Sequence, residues 1–333
     1  MASLPVSAQT EILDLRHFSA RQLRPLLERE AQVWRQRLRW DYDSATELLL
    51  EYLESRILTG YVALDRSRVC GYTFCVFEGN KAVVGDAFAA GHSLLGDIEI
   101  TRLLLVHMLE MLRHAPNVER VEAQMLLFNA GELAAPYAAA GFNICQRLFL
   151  ECDLRRGSRA AQQVAQPRAL PPELSFSAWS PQDYQPAGEL IHAAYAGHTD
   201  ALINDQYLTL HGSLRFLHNI VRFPGCGIFQ SQFSWVLRDR RTGTMAGMVL
   251  CSRVNSDVGH ITQLCVAHAW RHKGIGTLLL QQCAASLIRA GFVAITLTVT
   301  EANGPALHLY RQFGFVSRHR FDAMVLDQPR TIR

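Results

Sequence analysis

Lysine is almost absent from this 333-residue chain: Lys81 and Lys273 stand against 31 arginines. No uninterrupted apolar run approaches the roughly 18–20 residues that a membrane span needs, so no membrane partner is expected. The first 18 residues carry Glu11 and Asp14 and no apolar block, which argues against a secretion signal and for a cytoplasmic protein. None of the eight cysteines (70, 75, 145, 152, 226, 251, 265 and 283) forms a Cys-x-x-Cys pair, and no His-Glu-x-x-His spacing occurs among the 13 histidines. No metal site is expected. The cysteines sit among apolar neighbours, as in Val69-Cys70-Gly71-Tyr72 and Leu264-Cys265-Val266, and read as reduced, buried small hydrophobes.

What is present is a core. The chain is 49% hydrophobic and 19% charged, which excludes disorder as the dominant state. At roughly 100–200 residues per domain, its length favours two domains. The net charge of +3 is too weak to argue for nucleic acid, but its distribution is uneven. Residues 1–150 carry 15 basic and 18 acidic side chains, and residues 151–333 carry 18 and 12. An anionic ligand is therefore expected in the second half.

From Arg155 to Pro172 the sequence RRGSRAAQQVAQPRALPP is polar and proline-closed. It reads as a linker between a first domain (1–154) and a second (173–333). The halves share a grammar. Asn129 leads to Tyr137-Ala138-Ala139-Ala140-Gly141-Phe142 and then an apolar strand; Asn303 leads to Tyr310-Arg311-Gln312-Phe313-Gly314-Phe315 and then another. Upstream, helices are expected at 20–38 and 44–58, strands at 60–64, 68–78 and 81–89, and a helix at 99–114. The second half repeats this with helices at 183–195 and 205–222, strands at 234–238, 244–253 and 258–266, and a helix at 274–290. Apolar residues at 275, 278, 279, 283, 287 and 288 give that last helix one buried face, and Gly291 caps it. An α+β fold repeated in tandem follows.

The sharpest segment runs from Gln263 to Leu278: an apolar strand, a short basic loop, then a helix opened by Gly274 and Gly276. A helix N-terminus offers unpaired N–H groups and partial positive charge, and two glycines let a phosphate approach the main chain. Arg271 and Lys273 add formal charge. Gly276 is followed by Thr277-Leu278, so no Walker lysine exists, and a Rossmann fingerprint would want glycine at Leu279.

The spacing Arg271-x-x-Gly274-x-Gly276 instead resembles the pyrophosphate loop of the GNAT acetyltransferase superfamily. The run Asn303-Gly304-Pro305 through Tyr310 to Phe315 resembles that family's closing helix and strand. The resemblance covers about 172–327, and more faintly 10–154. It implies two tandem GNAT-like domains, each a mostly antiparallel mixed sheet flanked by helices. It also implies an N-acetyltransferase using acetyl-CoA as acyl donor and a small-molecule primary amine as acceptor. Residue by residue, Leu264, Cys265 and Val266 would pair with the pantetheine arm, with a main-chain N–H on the thioester oxygen. Arg271, His272, Lys273, Gly274, Ile275, Gly276 and Thr277 would cradle the pyrophosphate. Asn303 would either contact the cofactor or cap the next helix. Tyr310 would protonate the departing thiolate or serve as core packing.

An alkylammonium must also lose a proton. His260 stands on the strand, which resembles the corresponding strand of serotonin N-acetyltransferase, where a histidine at this register helps remove it. A second histidine of that enzyme is Thr262 here. With period-2 alternation, residues 260, 262 and 264 share a face. Asp200 and Asp205 either attract an ammonium or cap helices. The first half lacks the loop, having Gly96-Asp97-Ile98-Glu99 instead, whose acids repel a pyrophosphate; it reads as a degenerate copy. Three alternatives stay open: a protein or peptide acetyltransferase, an enzyme like mycothiol synthase, and a non-catalytic acyl-CoA-binding module. Oligomerisation is left open as well.

Overall fold

A computed structural model describes residues 10–91 and 96–328. The chain begins with β1 (Glu11–Asp14), α1 (Ala20–Leu38) and α2 (Asp43–Glu54), then runs through β2 (Thr59–Asp65), β3 (Arg68–Glu78) and β4 (Lys81–Ala89). There follow α3 (Asp97–His114), β5 (Arg120–Gln124), α4 (Ala134–Ala139) and β6 (Asn143–Asp153). The second half contains α5 (Arg159–Ala165), β7 (Leu174–Ala178), α6 (Tyr184–Tyr195), α7 (Asp200–Ile203), α8 (Leu210–Arg222) and β8 (Ile228–Phe229). It closes with β9 (Trp235–Asp239), β10 (Met245–Asn255), β11 (Val258–Val266), α9 (Ile275–Arg289), β12 (Ala294–Thr300), α10 (Gly304–Phe313) and β13 (Val316–Asp327).

Two compact units result. One contains α1 up to Leu38, Tyr42–Cys145 and the chain from Phe321 onward; the other contains Arg39–Asp41 and Gln146–Arg320. The first unit's sheet has the order β1-β2-β3-β4-β5-β13, antiparallel except for β4 beside β5. The second has the order β6-β12-β11-β10-β9-β7, antiparallel except for β11 beside β12. The tandem, mostly antiparallel α+β architecture is the one the sequence implies.

The division does not fall at residue 154. Arg147–Asp153 of β6 pair with β12 in the second unit, and Ala323–Asp327 of β13 pair with β5 in the first. Nor is 155–172 a plain linker. It holds α5, started by Ser158, whose hydroxyl accepts the Ala161 N–H at 3.1 Å, and Ala160 of α5 is buried in the second unit's core.

Local chemistry accounts for the repeat seen in the sequence. Gly141 (φ 85°) and Gly314 (φ 115°) lie in the left-handed region that only glycine adopts freely. Each lets the following phenylalanine N–H reach back to a tyrosine carbonyl: Phe142 to Tyr137 and Phe315 to Tyr310, both at 3.0 Å. The rings close the same turns, Tyr137 on Phe142 at 5.1 Å and Tyr310 on Phe315 at 5.5 Å. Tyr-x-x-x-Gly-Phe is thus a helix stop with its hydrophobic clasp, present in both units.

A second shared device bends the central strand. In each unit the parallel ladder runs four pairs, Lys81–Val84 on Arg120–Ala123 and Val258–Ile261 on Ala294–Leu297. One extra residue then interrupts the antiparallel register: Gly85 in β4, Thr262 in β11. A bulge of this kind increases twist and turns the strand away from its neighbour. In the second unit one face of the sheet is covered by α5, α9 and α10, and the other by α6 and α8.

Candidate active site

The bulge at Thr262 positions the site. Past Ile261 the register of β11 with β12 ends, while β11 keeps its pairing with β10 through Val266. The main chain of Leu264, Cys265 and Val266 therefore has one edge open to a cleft of about 720 Å³ within the second unit. The bulge also overturns the expected alternation. Ile261, Leu264 and Val266 pack toward α9, whereas Cys265 packs toward α6 and α8; His260 and Leu264 do not share a face.

From β11 the chain makes a turn at His268–Trp270, passes His272 in the left-handed region (φ 60°) and enters α9 at Gly274 (φ 79°, ψ 11°). Among the described residues no side chain caps this helix, and the N–H groups of Ile275, Gly276 and Thr277 have no intrahelical acceptor. All three residues line the cleft. Gly276 also answers to packing: a Cβ there would stand 2.8 Å from Leu309 Cδ2 of α10.

The motif's cations separate. Arg271 Nη2 donates to the Ala194 carbonyl at 2.8 Å and its Nε to the Val266 carbonyl at 3.4 Å, tying the end of α6 to the end of β11. Lys273 lies with Nζ 4.8 Å above the Trp270 ring. Arg168, from the segment read as linker, lines the cleft beside Gly274. Among the lining residues are Arg168, Arg271 and three histidines (198, 272 and 308) but no Asp or Glu, so an anion meets no like charge at the walls.

Asn303 is a lining residue and also the cap of α10, its Oδ1 accepting the Ala306 N–H at 3.2 Å. Tyr310 stands on α10 in the core facing Phe315 and is not itself a lining residue. Burial lifts its phenol pKa, with smaller effects from Cys265 and Asp200. Burial likewise pushes the Cys265 thiol up to about 12.

His260 does not reach the cleft. It is 5% exposed, with the Trp40 ring 4.8 Å and the Phe149 ring 6.1 Å away. Its Nδ1 lies 2.9 Å from Thr296 Oγ1, which spends its own hydrogen on the Gly259 carbonyl at 3.2 Å; Nδ1–H is therefore the donor. Burial, helped by the Arg147 charge, drops the imidazole pKa to about 3. A base that weak is poorly matched to an alkylammonium, which titrates near 10.

Sequence reasoning named Asp200 but missed the cluster it belongs to on the α6–α8 side. The Tyr195 hydroxyl donates to Gln263 Oε1 at 2.9 Å, and its ring stacks on Tyr207 at 4.0 Å. Asp200, at the start of α7, accepts the Thr300 hydroxyl, and its Oδ2 lies 3.5 Å from Nδ1 of the cleft-lining His198. No periodic signal marks these residues, because they meet only through the splay of β11 from β12.

Comparison with known proteins agrees with this architecture. Residues 204–315 match the acetyltransferase (GNAT) family. No curated protein sequence matches the chain. Among solved structures, a tandem GNAT protein from the clavulanic acid biosynthesis pathway aligns with a TM-score of 0.61 at 17% identity, over 97% of this chain and 100% of that one. A GCN5-related N-acetyltransferase from Sphaerobacter thermophilus gives 0.64 at 15% identity, over 98% of each chain. These likenesses speak for the fold. The chain therefore carries a GNAT acetyltransferase domain over residues 204–315. More particularly, it has the tandem form of that fold, with the family match lying in its second half. Among the described residues no helix is long and apolar enough to cross a membrane, and no group of three or more metal-ligating side chains occurs.

Proposed function

We propose that the chain transfers the acetyl group of acetyl-CoA to a primary amine of a small molecule, in the cleft of the second unit. One observation carries this: the open edge of β11 at Leu264–Val266 leads directly into an uncapped helix start, within a cleft that no carboxylate lines among the described residues. An extended amide-bearing arm can continue the sheet at such an edge, and a diphosphate suits the N–H groups of Ile275, Gly276 and Thr277. Coenzyme A joins those two chemistries in one molecule, and the GNAT family generally uses its acetyl thioester, which supplies the acyl group.

The chain's own residues handle protons and orientation. Burial keeps Tyr310 protonated at neutral pH; it does not line the cleft, so the role of acid toward a leaving thiolate requires the bound donor to bring the sulfur within its reach. Asp200, anchored by Thr300, does not line the cleft but adjoins the cleft-lining His198, and this pair is our candidate for drawing an ammonium. Asn303 and Arg271 hold the walls in place. His260 is left a core position. The first unit is read as a copy that binds no cofactor, and the protein as cytoplasmic.

The test is thiol release from acetyl-CoA by the purified full chain against a panel of small amines, thiol precursors and peptides. Turnover with small amines supports the reading. Turnover only with peptides would move the acceptor class, and no release with any acceptor would refute it.

A further inference from the structure

We propose that Arg168, on the strap that follows α5, is the side-chain cation for the diphosphate of coenzyme A, the part that the loop motif alone would give to Arg271. The inference rests on the cleft being the coenzyme A site. Arg271 is committed elsewhere: its guanidinium holds the Ala194 and Val266 carbonyls, and moving it would release the end of α6. Lys273 is drawn to the Trp270 ring. Arg168 makes no ion pair among the described residues, yet it borders the cleft at the mouth of α9.

Its placement is close. A Cβ on Gly274 would lie 2.7–2.9 Å from the Arg168 Cζ, Nε and Nη1 atoms. Only a bare glycine lets the guanidinium rest against the turn where the N–H groups of α9 begin. The strap is held in register by Gln281 of α9, whose Oε1 accepts the Arg168 N–H at 3.1 Å and whose Nε2 donates to the Gln163 carbonyl at 3.0 Å. Gln163 in turn donates to the Gln312 carbonyl at the end of α10 at 2.7 Å. Its backbone anchored in this way, Arg168 presents a planar fork suited to two phosphate oxygens. In this arrangement Arg271 is a positioning residue and Arg168 the ligand.

The experiment measures binding of coenzyme A, dephospho-coenzyme A and pantetheine to the wild type, Arg168→Ala and Gln281→Leu at two salt concentrations. Dephospho-coenzyme A keeps the diphosphate and lacks the 3′-phosphate; pantetheine lacks all phosphate. Arg168→Ala is expected to weaken both diphosphate ligands alike, by about tenfold or more, with a shallower salt dependence and no change for pantetheine. Gln281→Leu is expected to give a smaller loss in the same pattern. Wild-type affinity in Arg168→Ala overturns the proposal, as does a loss confined to coenzyme A, which would move the contact to the 3′-phosphate. Failure of the wild type to bind coenzyme A would instead sink the reading of the cleft.

Discussion

His260→Asn separates a core histidine from a catalytic one. In the folded chain the imidazole pKa is about 3, against its ordinary 6.5. Between those values the unfolded chain binds a proton that the folded chain refuses, so folding stability falls as the pH drops through that window. The slope for one group is about 1.4 kcal/mol per pH unit, so the penalty relative to neutral pH reaches about 2 kcal/mol at pH 5. Asparagine can reproduce the donation from Nδ1 to Thr296 Oγ1 and carries no titrating group. Urea melts of both proteins at pH 7.5, 6 and 5 give the comparison. Wild type minus variant should drift against the wild type by about 2 kcal/mol between neutral pH and pH 5, while the low-pH limb of the kcat/KM profile stays in place. A pH-independent stability difference, together with loss of that limb, would show a histidine titrating normally and restore His260 as the base.

Three further outcomes follow from the same geometry. Tyr310→Phe should lower kcat at least tenfold, in the range of a lost general acid, with coenzyme A affinity unchanged; equal losses in both would make the tyrosine only the clasp of α10. Asp200→Asn should raise KM for the amine several-fold and leave coenzyme A binding alone, and unchanged amine kinetics would remove Asp200 from the acceptor site. In the first unit, Glu30 is 1% exposed, accepts the Tyr72 hydroxyl at 2.6 Å and hydrogen-bonds Asp86. Burial and the Asp86 charge raise its pKa well above 4.5, so the folded chain holds a proton that the unfolded chain lacks, and stability falls as pH rises above that value. Glu30→Gln should therefore gain Tm relative to wild type as the pH rises from 4.5; a gap that stays constant from that pH upward would refute the shared proton.

Much of this was legible because it rests on local chemistry. The two glycines and the basic run at 271–276 marked the helix start, and helical periodicity marked α1 and α9 to within a residue. The rest depended on tertiary pairing. Nothing in the sequence shows that Thr262 is an extra residue, so the alternation from His260 to Leu264 is broken where period-2 counting keeps it. Arg168 is one arginine in a proline- and glutamine-rich stretch, meaningful only once Gln281 sets its place. Asp200 could not be told from a helix cap, because its partner Thr300 is a hundred residues away. The repeated tyrosines were visible, and their shared helix-stop geometry gives both an architectural part, whatever chemistry Tyr310 adds.

The exchange of final strands has a consequence for how such a chain can be taken apart. A fragment ending near residue 155 would keep a lone β6 yet lack the β13 segment that borders β5. A fragment beginning there would leave the edge of β12 bare, with seven residue pairs unmade. Exposed edges of that length invite pairing with strangers. Each half is therefore expected to be poorly soluble alone and to be rescued by co-expression with its sibling, which makes the pair a single heritable piece even where only one half does chemistry.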